Sequence, residues 1–233
     1  MSRLVPYLLI ALFALAPLAH AQEGVDLALV LVDDVSGSIN DQEFEIQKRG
    51  YLAAFSDPKV VAAIQGGALG QILVAYVEFA SDFQVRTVLH WTIVKDAASA
   101  REFAQAMRDA PRSFRGRTSI SAGIDEAMKL LANLPVTADR KVIDVCGDGT
   151  NNLGRPVSEA RDDAAKHGVV INGLALANES DTPWLYAHTH PPGGLGNYYR
   201  ENVTVGSGSF VIEINNFASF AEAIKRKLIQ EIS

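Results

Sequence analysis

One carboxylate and two hydroxyl groups stand at alternate positions in the stretch Asp34-Val35-Ser36-Gly37-Ser38. Side chains two apart in an extended segment point to the same side, so these three groups can converge on one point. Gly37 allows the backbone to turn tightly around that point. Oxygen ligands of this kind suit a hard divalent cation, Mg²⁺ first, with Mn²⁺ or Ca²⁺ as alternatives.

Two later segments carry further oxygen donors. Thr118 stands before a predicted helix, and Asp148 follows an apolar segment at 142–146. Asp34 likewise follows a continuous apolar run, residues 27–32, which is typical of a strand buried on both faces of a parallel sheet. Both aspartates are therefore predicted to lie just beyond the ends of buried strands.

These three motifs, in this order, resemble the metal-ion-dependent adhesion site (MIDAS) of von Willebrand factor type A (VWA) domains. The resemblance runs from about Val25 to the C-terminus, and residues 142–149 further resemble an uncharacterised bacterial group, domain of unknown function 1194. It implies a VWA fold and a protein partner whose Asp or Glu binds through the metal. The metal ligands that it implies are Asp34, Ser36, Ser38, Thr118 and Asp148.

A simpler interpretation exists, because Asp, Ser and Thr are also favoured at helix N-caps. Thr118 could act as a cap as well as a ligand. Two further aspartates, Asp33 and Asp144, are not predicted to bind the metal. We expect Asp33 to face away and to bond to backbone or a nearby loop, and Asp144 to pair with an Arg or Lys or to reach solvent. Asn151 and Asn152 are predicted to lie just behind the ligands.

Predicted strands alternate with predicted helices along the chain. The expected fold is α/β, a Rossmann-like open, mostly parallel sheet with helices on both faces. The short connection between Phe79 and Phe83 predicts a hairpin, and therefore one antiparallel strand. Residues 59–70 are rich in glycine and are predicted to be irregular, with at most a short helical turn. In such sheets ligands bind beyond the carboxyl ends of the strands, where the strand order reverses.

Length, charge and the N-terminus bound the possible roles. The 233 residues fit one domain, predicted at 22–233. A net charge of −6 disfavours nucleic acid or an anionic membrane as partner. Residues 1–21 resemble a signal peptide, with Arg3, an apolar stretch shorter than a spanning helix, and a cleavage site after Ala21. We therefore expect a periplasmic or secreted protein without a stable membrane anchor.

Residues 178–208 form a long predicted insertion between two elements. Long connections of this kind are usually functional or disordered. Four of its residues belong to types that are favoured at interface hot spots, and we predict that they contact the partner unless they pack against the domain itself: Trp184, Tyr198, Tyr199 and Arg200. His188 and His190 resemble a fragment of a zinc site, but without a third ligand we interpret them as part of a solvated loop.

The pattern favours a binding module over an enzyme. A metal-assisted phosphohydrolase of the haloacid-dehalogenase type would need a second aspartate at the position of Ser36. The single cysteine, Cys146, lies in an apolar strand and is predicted to be a buried, inert thiol. A structural subunit, in which the metal only ties loops together, remains the alternative. No nucleophile–base pair in the sequence accompanies the predicted site.

Overall fold

A six-stranded sheet forms the centre of the part of the chain that the computed structural model describes, residues 24–177 and 188–233. The strands are β1 Gly24–Asp34, β2 Ile72–Phe79, β3 Val85–Val94, β4 Thr137–Gly147, β5 Val170–Leu176 and β6 Val211–Ile214. Helices connect and cover them: α1 Asp41–Phe55, α2 Pro58–Gln65, α3 Ala97–Asp109, α4 Ile120–Ala132, α5 Val157–Lys166, α6 Leu195–Asn202 and α7 Phe220–Ile232, the last preceded by a 3-10 turn at Phe217–Ser219.

The strand order in the sheet is β3-β2-β1-β4-β5-β6. All neighbouring pairs are parallel except β2 and β3, which are antiparallel. The predicted fold class and the predicted antiparallel strand are therefore confirmed. The order reverses between β1 and β4, which are direct neighbours, so the carboxyl ends of these two strands define the switch point.

Alternate residues of β1 face two separate hydrophobic cores. Leu27, Leu29 and Leu31 pack with residues of α1, α2, α3 and α7. Ala28 and Val30 face the opposite side, where they pack with α4, α5 and α6. This two-sided burial explains why the strand is apolar at every position rather than at every second one. It also fixes the strand firmly, so the residues that follow it start from a rigid position.

Helix α2 contradicts the prediction that residues 59–70 are irregular. Asp57 caps the helix by accepting a hydrogen bond from Lys59 N at 2.8 Å, and Pro58 occupies its first turn. Proline is well tolerated there because its missing N–H would have no partner in the helix. Val60 and Ile64 then face the core at helical spacing. The glycines that suggested an irregular segment begin only after Gln65.

A buried polar row crosses the sheet face that α1 and α7 cover. Tyr51 Oη donates to Asp33 Oδ1 at 2.6 Å, and Lys227 Nζ lies 2.6 Å from Asp144 Oδ1. Asp33 faces away from Asp34, as expected. The expected bond of Asp33 to backbone or a loop is wrong, because its hydrogen-bond donor is the side chain of Tyr51 on α1. The expected pairing of Asp144 with a cation is confirmed.

The second half of the long insertion is ordered around α6. An isolated antiparallel β-bridge between Ile171 on β5 and Val205 attaches the end of this segment to the sheet. The predicted signal peptide and Trp184 lie outside the described residues. Among the described helices, none has the length and apolar character needed to cross a membrane.

Candidate metal site

The five predicted ligands meet at the carboxyl ends of β1 and β4. Asp34 is the last residue of β1, and Asp148 follows β4 directly. Ser36 and Ser38 lie in the turn between β1 and α1, whose capping box at Asn40 and Glu43 fixes where the helix begins. The fifth predicted ligand, Thr118, lies in the segment just before α4. Four of the five are buried almost completely: Asp34, Ser36, Thr118 and Asp148.

Hydrogen bonds join four of these side chains in a chain. Ser38 Oγ donates to Asp148 Oδ1 at 2.7 Å, and the two serine Oγ atoms lie 3.1 Å apart. Thr118 Oγ1 donates to Ser36 Oγ at 3.0 Å. Adjacent ligands of an octahedral ion with bonds of about 2.1 Å stand about 3.0 Å apart. These distances are ordinary hydrogen-bond lengths, and they are also compatible with neighbouring positions around one divalent cation.

Asp34 joins this chain of hydrogen bonds at Ser36. Its Oδ1 accepts a hydrogen bond from Ser36 N at 2.7 Å, which closes the turn. Its Oδ2 is buried and has no hydrogen-bond partner within the described residues. A buried carboxylate oxygen without a partner is costly, and a cation bound at this end of the sheet would offset that cost.

The two carboxyl groups are electrostatically unfavourable without a cation. Burial raises the pKa of Asp34 to about 6. Burial also raises the pKa of Asp148, and the charge of Asp34 raises it further. A divalent ion between the two carboxylates would offset both effects, since an opposite charge at close range favours the ionised form. The residues present thus fit a divalent cation by spacing, by donor type and by charge.

Arg112 supports the loop that carries the serines. Its guanidinium donates to the carbonyls of Val35, Ser36 and Ile39 at 2.7, 2.6 and 2.8 Å. The side chain is only 8% exposed. A buried arginine that satisfies three carbonyls of one turn holds that turn in place. The sequence analysis did not identify this residue, because it lies in the connection between α3 and α4, far from the loop in sequence.

Two asparagine side chains hold the backbone around Thr118 in place. Asn152 Oδ1 accepts from Thr118 N at 2.9 Å, and Asn151 Oδ1 accepts from Ser121 N at 3.0 Å. The predicted supporting position of both asparagines is confirmed. Ser119, rather than Thr118, caps α4. The hydroxyl of Thr118 is therefore not used as the helix cap.

His188 lies at the same site, contrary to its interpretation as part of a solvated loop. The half-buried ring places Nε2 3.1 Å from Thr118 Oγ1 and Nδ1 3.0 Å from Thr150 Oγ1. It forms one wall of a cavity of about 430 Å³, which is also lined by Ser36, Ser38 and Arg117. Burial lowers the pKa of His188. His188 is distant in sequence from the other residues of the site, and only the tertiary fold brings it to them.

The predicted partner-contact residues occupy different environments. Tyr199 is 0% exposed and packs in the core under α6, which is the alternative to a partner contact that the sequence left open. Tyr198 is half-buried, and its Oη accepts from Asn151 N at 3.0 Å. Arg200 is exposed. These residues differ in exposure because they lie on different sides of the short helix α6, and composition alone does not reveal which side each one takes.

Hydroxyl groups dominate the donor set. Among the described residues, no group of three or more His, Cys, Asp or Glu side chains is placed to hold a metal ion. Cys146 is buried, and burial raises the pKa of its thiol, as expected for an inert cysteine.

Solved structures share this fold at low sequence identity. Proximal thread matrix protein 1 (PTMP1) from the mussel byssus, crystal form 2, aligns with a TM-score of 0.63 and 16% identity over 91% of this chain and 49% of that chain. The PTMP1 structure with a zinc-occupied MIDAS motif aligns with a TM-score of 0.60 and 18% identity over 88% and 45%. The present chain thus spans about half the length of PTMP1.

A third structure matches over nearly its whole length. The vWF domain of the type V pili tip protein Mfa5 from Porphyromonas gingivalis aligns with a TM-score of 0.57 and 14% identity over 89% of this chain and 95% of that chain. A search of curated protein sequences finds no match. The family described as "Protein of unknown function (DUF1194)" matches residues 24–233. The chain therefore belongs to the DUF1194 family, and its fold is that of a VWA domain.

Proposed function

We propose that this protein is an exported binding module that holds a divalent cation and binds a protein partner through it. The cation ligands are Asp34, Ser36, Ser38, Thr118 and Asp148. The observation that carries the proposal is the chain of side-chain oxygen atoms, with neighbours 2.7–3.1 Å apart, beside a buried Asp34 Oδ2 that has no hydrogen-bond partner within the described residues.

The composition of this ligand set leaves room for a partner. Only Asp34 and Asp148 bring formal charge, so the ligand set carries two negative charges. Mg²⁺ takes six oxygens and dehydrates reluctantly, so some positions are held by exchangeable water. A carboxylate from a partner supplies both a hard oxygen and the charge that favours a tighter complex. An Asp or Glu side chain is therefore the expected occupant of the open position.

Two of the solved structures support this proposal, but neither identifies a partner of this chain. The PTMP1 structure has a zinc-occupied MIDAS motif, and Mfa5 is a pilus tip protein. The fold of the present chain is thus one in which a metal-occupied site of this type occurs. The signal-like sequence of residues 1–21 supports export. Exposed Arg200 and half-buried Tyr198 are the members of the predicted contact set that a partner could reach.

A structural role for the metal is the competing function, and an enzymatic role is not proposed. The position two residues after Asp34, where a haloacid-dehalogenase-type phosphatase needs an aspartate, is Ser36.

The experiment uses residues 22–233 with and without Mg²⁺. Melting temperature is expected to rise with metal concentration, since the ion binds the folded state only. Asp34→Asn should abolish that rise, whereas Asp26→Asn, at the opposite end of β1, should retain it. A pull-down from periplasmic extract should then recover a partner with Mg²⁺ and lose it with chelator. Equal metal responses in both variants would overturn the metal site, and recovery that persists in chelator would overturn metal-mediated recognition.

A further inference from the structure

Two large hydrophobic side chains are exposed among the described residues, Phe83 at 93% and Leu69 at 51%. Single apolar side chains at a surface are common, so exposure alone assigns a role to neither. Their positions differ, however. Leu69 precedes β2, whereas Phe83 follows it, and the last residue of β2, Phe79, pairs with Asp34. Phe83 therefore lies at the same edge of the sheet as the metal site.

A tight turn between β2 and β3 presents Phe83 to solvent. Gln84 N donates to the carbonyl of Ser81 at 2.9 Å, and Ala80 N donates to the carbonyl of Gln84 at 2.8 Å. Asp82 and Phe83 are therefore the two central residues of a β-turn. Small and polar residues are favoured at such positions, and Asp82 is of that kind. Phe83 buries almost none of its surface within the domain, so packing inside this chain does not explain it.

Hydrogen bonds fix this turn to the segment that carries Thr118. Ser119 N donates to the carbonyl of Ala80 at 2.7 Å, and Arg117 N donates to Ser81 Oγ at 3.1 Å. The two donors stand on either side of Thr118 in the chain. The turn and the threonine therefore keep a fixed relative position.

Gly116 brings the same turn against the metal-site cavity. It lines the cavity of about 430 Å³ described above, and a side chain at this position would collide with those of Ser81 and Gln84. Its carbonyl accepts from Gly37 N at 2.8 Å, and Gly37 stands between the two site serines. Gly116 thus contacts the turn that presents Phe83 on one side and the serine-bearing turn on the other.

Arg117 places a cation beside this exposed aromatic ring. The residue is exposed, lines the cavity, and donates through its guanidinium to the carbonyl of Asn152 at 2.5 Å. Within the described part of the chain it forms no ion pair with a carboxylate. The whole protein has a net charge of −6, so a cation at this position attracts acidic groups more specifically than the bulk charge does.

We propose that Phe83 and Arg117 form a contact surface for an acidic protein segment, in which a large apolar side chain stands next to the Asp or Glu that binds the metal. The apolar side chain packs on Phe83, and Arg117 attracts the acidic segment. Aromatic residues and arginine are the types that dominate binding energy at protein interfaces. This inference rests on the proposed function, and it narrows the partner from any acidic side chain to an acidic side chain with an apolar neighbour.

The test selects binders from a phage-displayed library of random peptides on the mature chain, residues 22–233. Binding takes place in Mg²⁺ and elution uses a chelator, so that only metal-dependent peptides are recovered. We expect the enriched sequences to share an Asp or Glu next to a large apolar residue. Synthetic peptides with these sequences are then titrated against the wild type and its variants by fluorescence anisotropy.

Phe83→Ser should weaken peptide binding by at least about 10-fold. Leu69→Ser, which removes the other exposed apolar side chain, is the matched control and should leave the affinity unchanged. The melting temperature of Phe83→Ser should still rise with Mg²⁺, because Phe83 is not a metal ligand. That rise also shows that the variant is folded.

Arg117→Gln should slow association and reduce its dependence on salt concentration, as expected when a charge at the edge of an interface is removed. Arg101→Gln, at an exposed position of α3, is the control for the loss of a positive charge and should do neither. Stopped-flow mixing at several salt concentrations measures both rates. Equal salt dependence in the wild type and Arg117→Gln would remove Arg117 from the contact surface.

The outcomes separate this proposal from the proposed function. Wild-type protein whose melting temperature does not respond to Mg²⁺ would refute the proposed function itself. Protein that responds to Mg²⁺ would refute only the contact surface if it yielded no chelator-eluted peptide, peptides without an apolar neighbour, or peptides that bind Phe83→Ser as tightly as the wild type. A Mg²⁺-dependent dimer that Phe83→Ser abolishes, seen by sedimentation, would also refute it, since a second copy of the chain would then occupy the surface.

Discussion

Ser38 Oγ donates a hydrogen bond of 2.7 Å to Asp148 Oδ1, although the two residues lie 110 positions apart in the chain. The contact joins the turn after β1 to the turn after β4 across the switch point of the sheet. It also gives a buried carboxyl group a neutral donor. Burial and the nearby charge of Asp34 nevertheless raise the pKa of Asp148, so the pair of carboxyl groups destabilises the metal-free fold.

Asp148→Asn should separate metal binding from folding. The new side-chain amide can still accept from Ser38 but carries no charge, so repulsion from Asp34 disappears. We expect the melting temperature of metal-free protein to stay equal or to rise, by about 2–4 °C for each kcal/mol gained. The metal-induced rise should vanish. Differential scanning calorimetry with and without Mg²⁺ measures both, with the exposed Asp162→Asn as control. A clearly lower metal-free melting temperature for the Asp148 variant would contradict this account.

The five oxygen-bearing site residues could be predicted because each stands next to a strand end or a helix start. Parallel strands bring their carboxyl ends to one edge, so an aspartate after β1 and another after β4 must approach each other once the strands are neighbours. Apolar runs locate those strands in the sequence. The pairing of the two strands at the switch point came from the resemblance to VWA domains.

His188 and Arg112 could not be placed in this way. Arg112 lies in a connection without regular structure, and what it contacts depends on how α3 and α4 pack. His188 follows β5 by a long connection, so no local spacing indicates where its ring ends. Tyr199 shows the same limit, because residue type alone does not tell which side of α6 faces the core. Such contacts depend on tertiary packing rather than on local pattern.

Arg112→Gln should weaken both the fold and the metal site. Three backbone carbonyls of the serine-bearing turn lose a charged donor. Buried acceptors left without a donor cost free energy, and we expect a loss of about 2–4 kcal/mol in the free energy of unfolding. Mg²⁺ affinity should fall as the turn loosens. Chemical denaturation and calorimetric titration measure the two effects.

Arg115→Gln is the matched control for this variant. Arg115 pairs with Asp41 at the surface, where its side chain is 59% exposed. Its replacement should change stability by no more than about 0.5 kcal/mol and should leave the metal affinity unaltered. If the two variants behaved alike, the buried guanidinium would have no special role in holding the turn.

Lys227→Met should destabilise the chain strongly. Lys227 Nζ lies 2.6 Å from Asp144 Oδ1 and 2.5 Å from Glu231 Oε1, and all three side chains are buried. Removing the cation leaves two carboxyl groups facing each other without compensation, which costs about 3–5 kcal/mol. Lys225→Met, on the partly exposed side of α7, should cost much less, because exposed ion pairs contribute little to stability. Urea denaturation distinguishes the two, and equal losses would show that the buried network contributes nothing particular.

Glu231 gives the fold a defined pH dependence. Burial raises the pKa of Glu231 to about 8, the Asp144 carboxylate adds to the rise, and Lys227 opposes it. Because the folded-state pKa lies above the unfolded value of about 4.3, the folded state binds more protons between the two values. The contribution of Glu231 to stability is therefore greatest below about pH 4.3. It is lost progressively as the pH rises towards 8, by at most about 1.4 kcal/mol per pH unit.

The difference between wild type and Glu231→Gln isolates this effect from the other buried carboxyl groups. Glutamine cannot ionise, but its Oε1 can still accept the hydrogen bond that Asn172 Nδ2 gives to Glu231 Oε1 at 3.0 Å. We expect the free energy of unfolding of the wild type to fall relative to that of the variant as the pH rises from 5 to 8. Urea denaturation at several pH values measures the difference. Glu222→Gln, on the exposed side of the same helix, should show none. A wild-type stability that stayed parallel to that of Glu231→Gln over this range would mean that Glu231 is already ionised in its pair with Lys227.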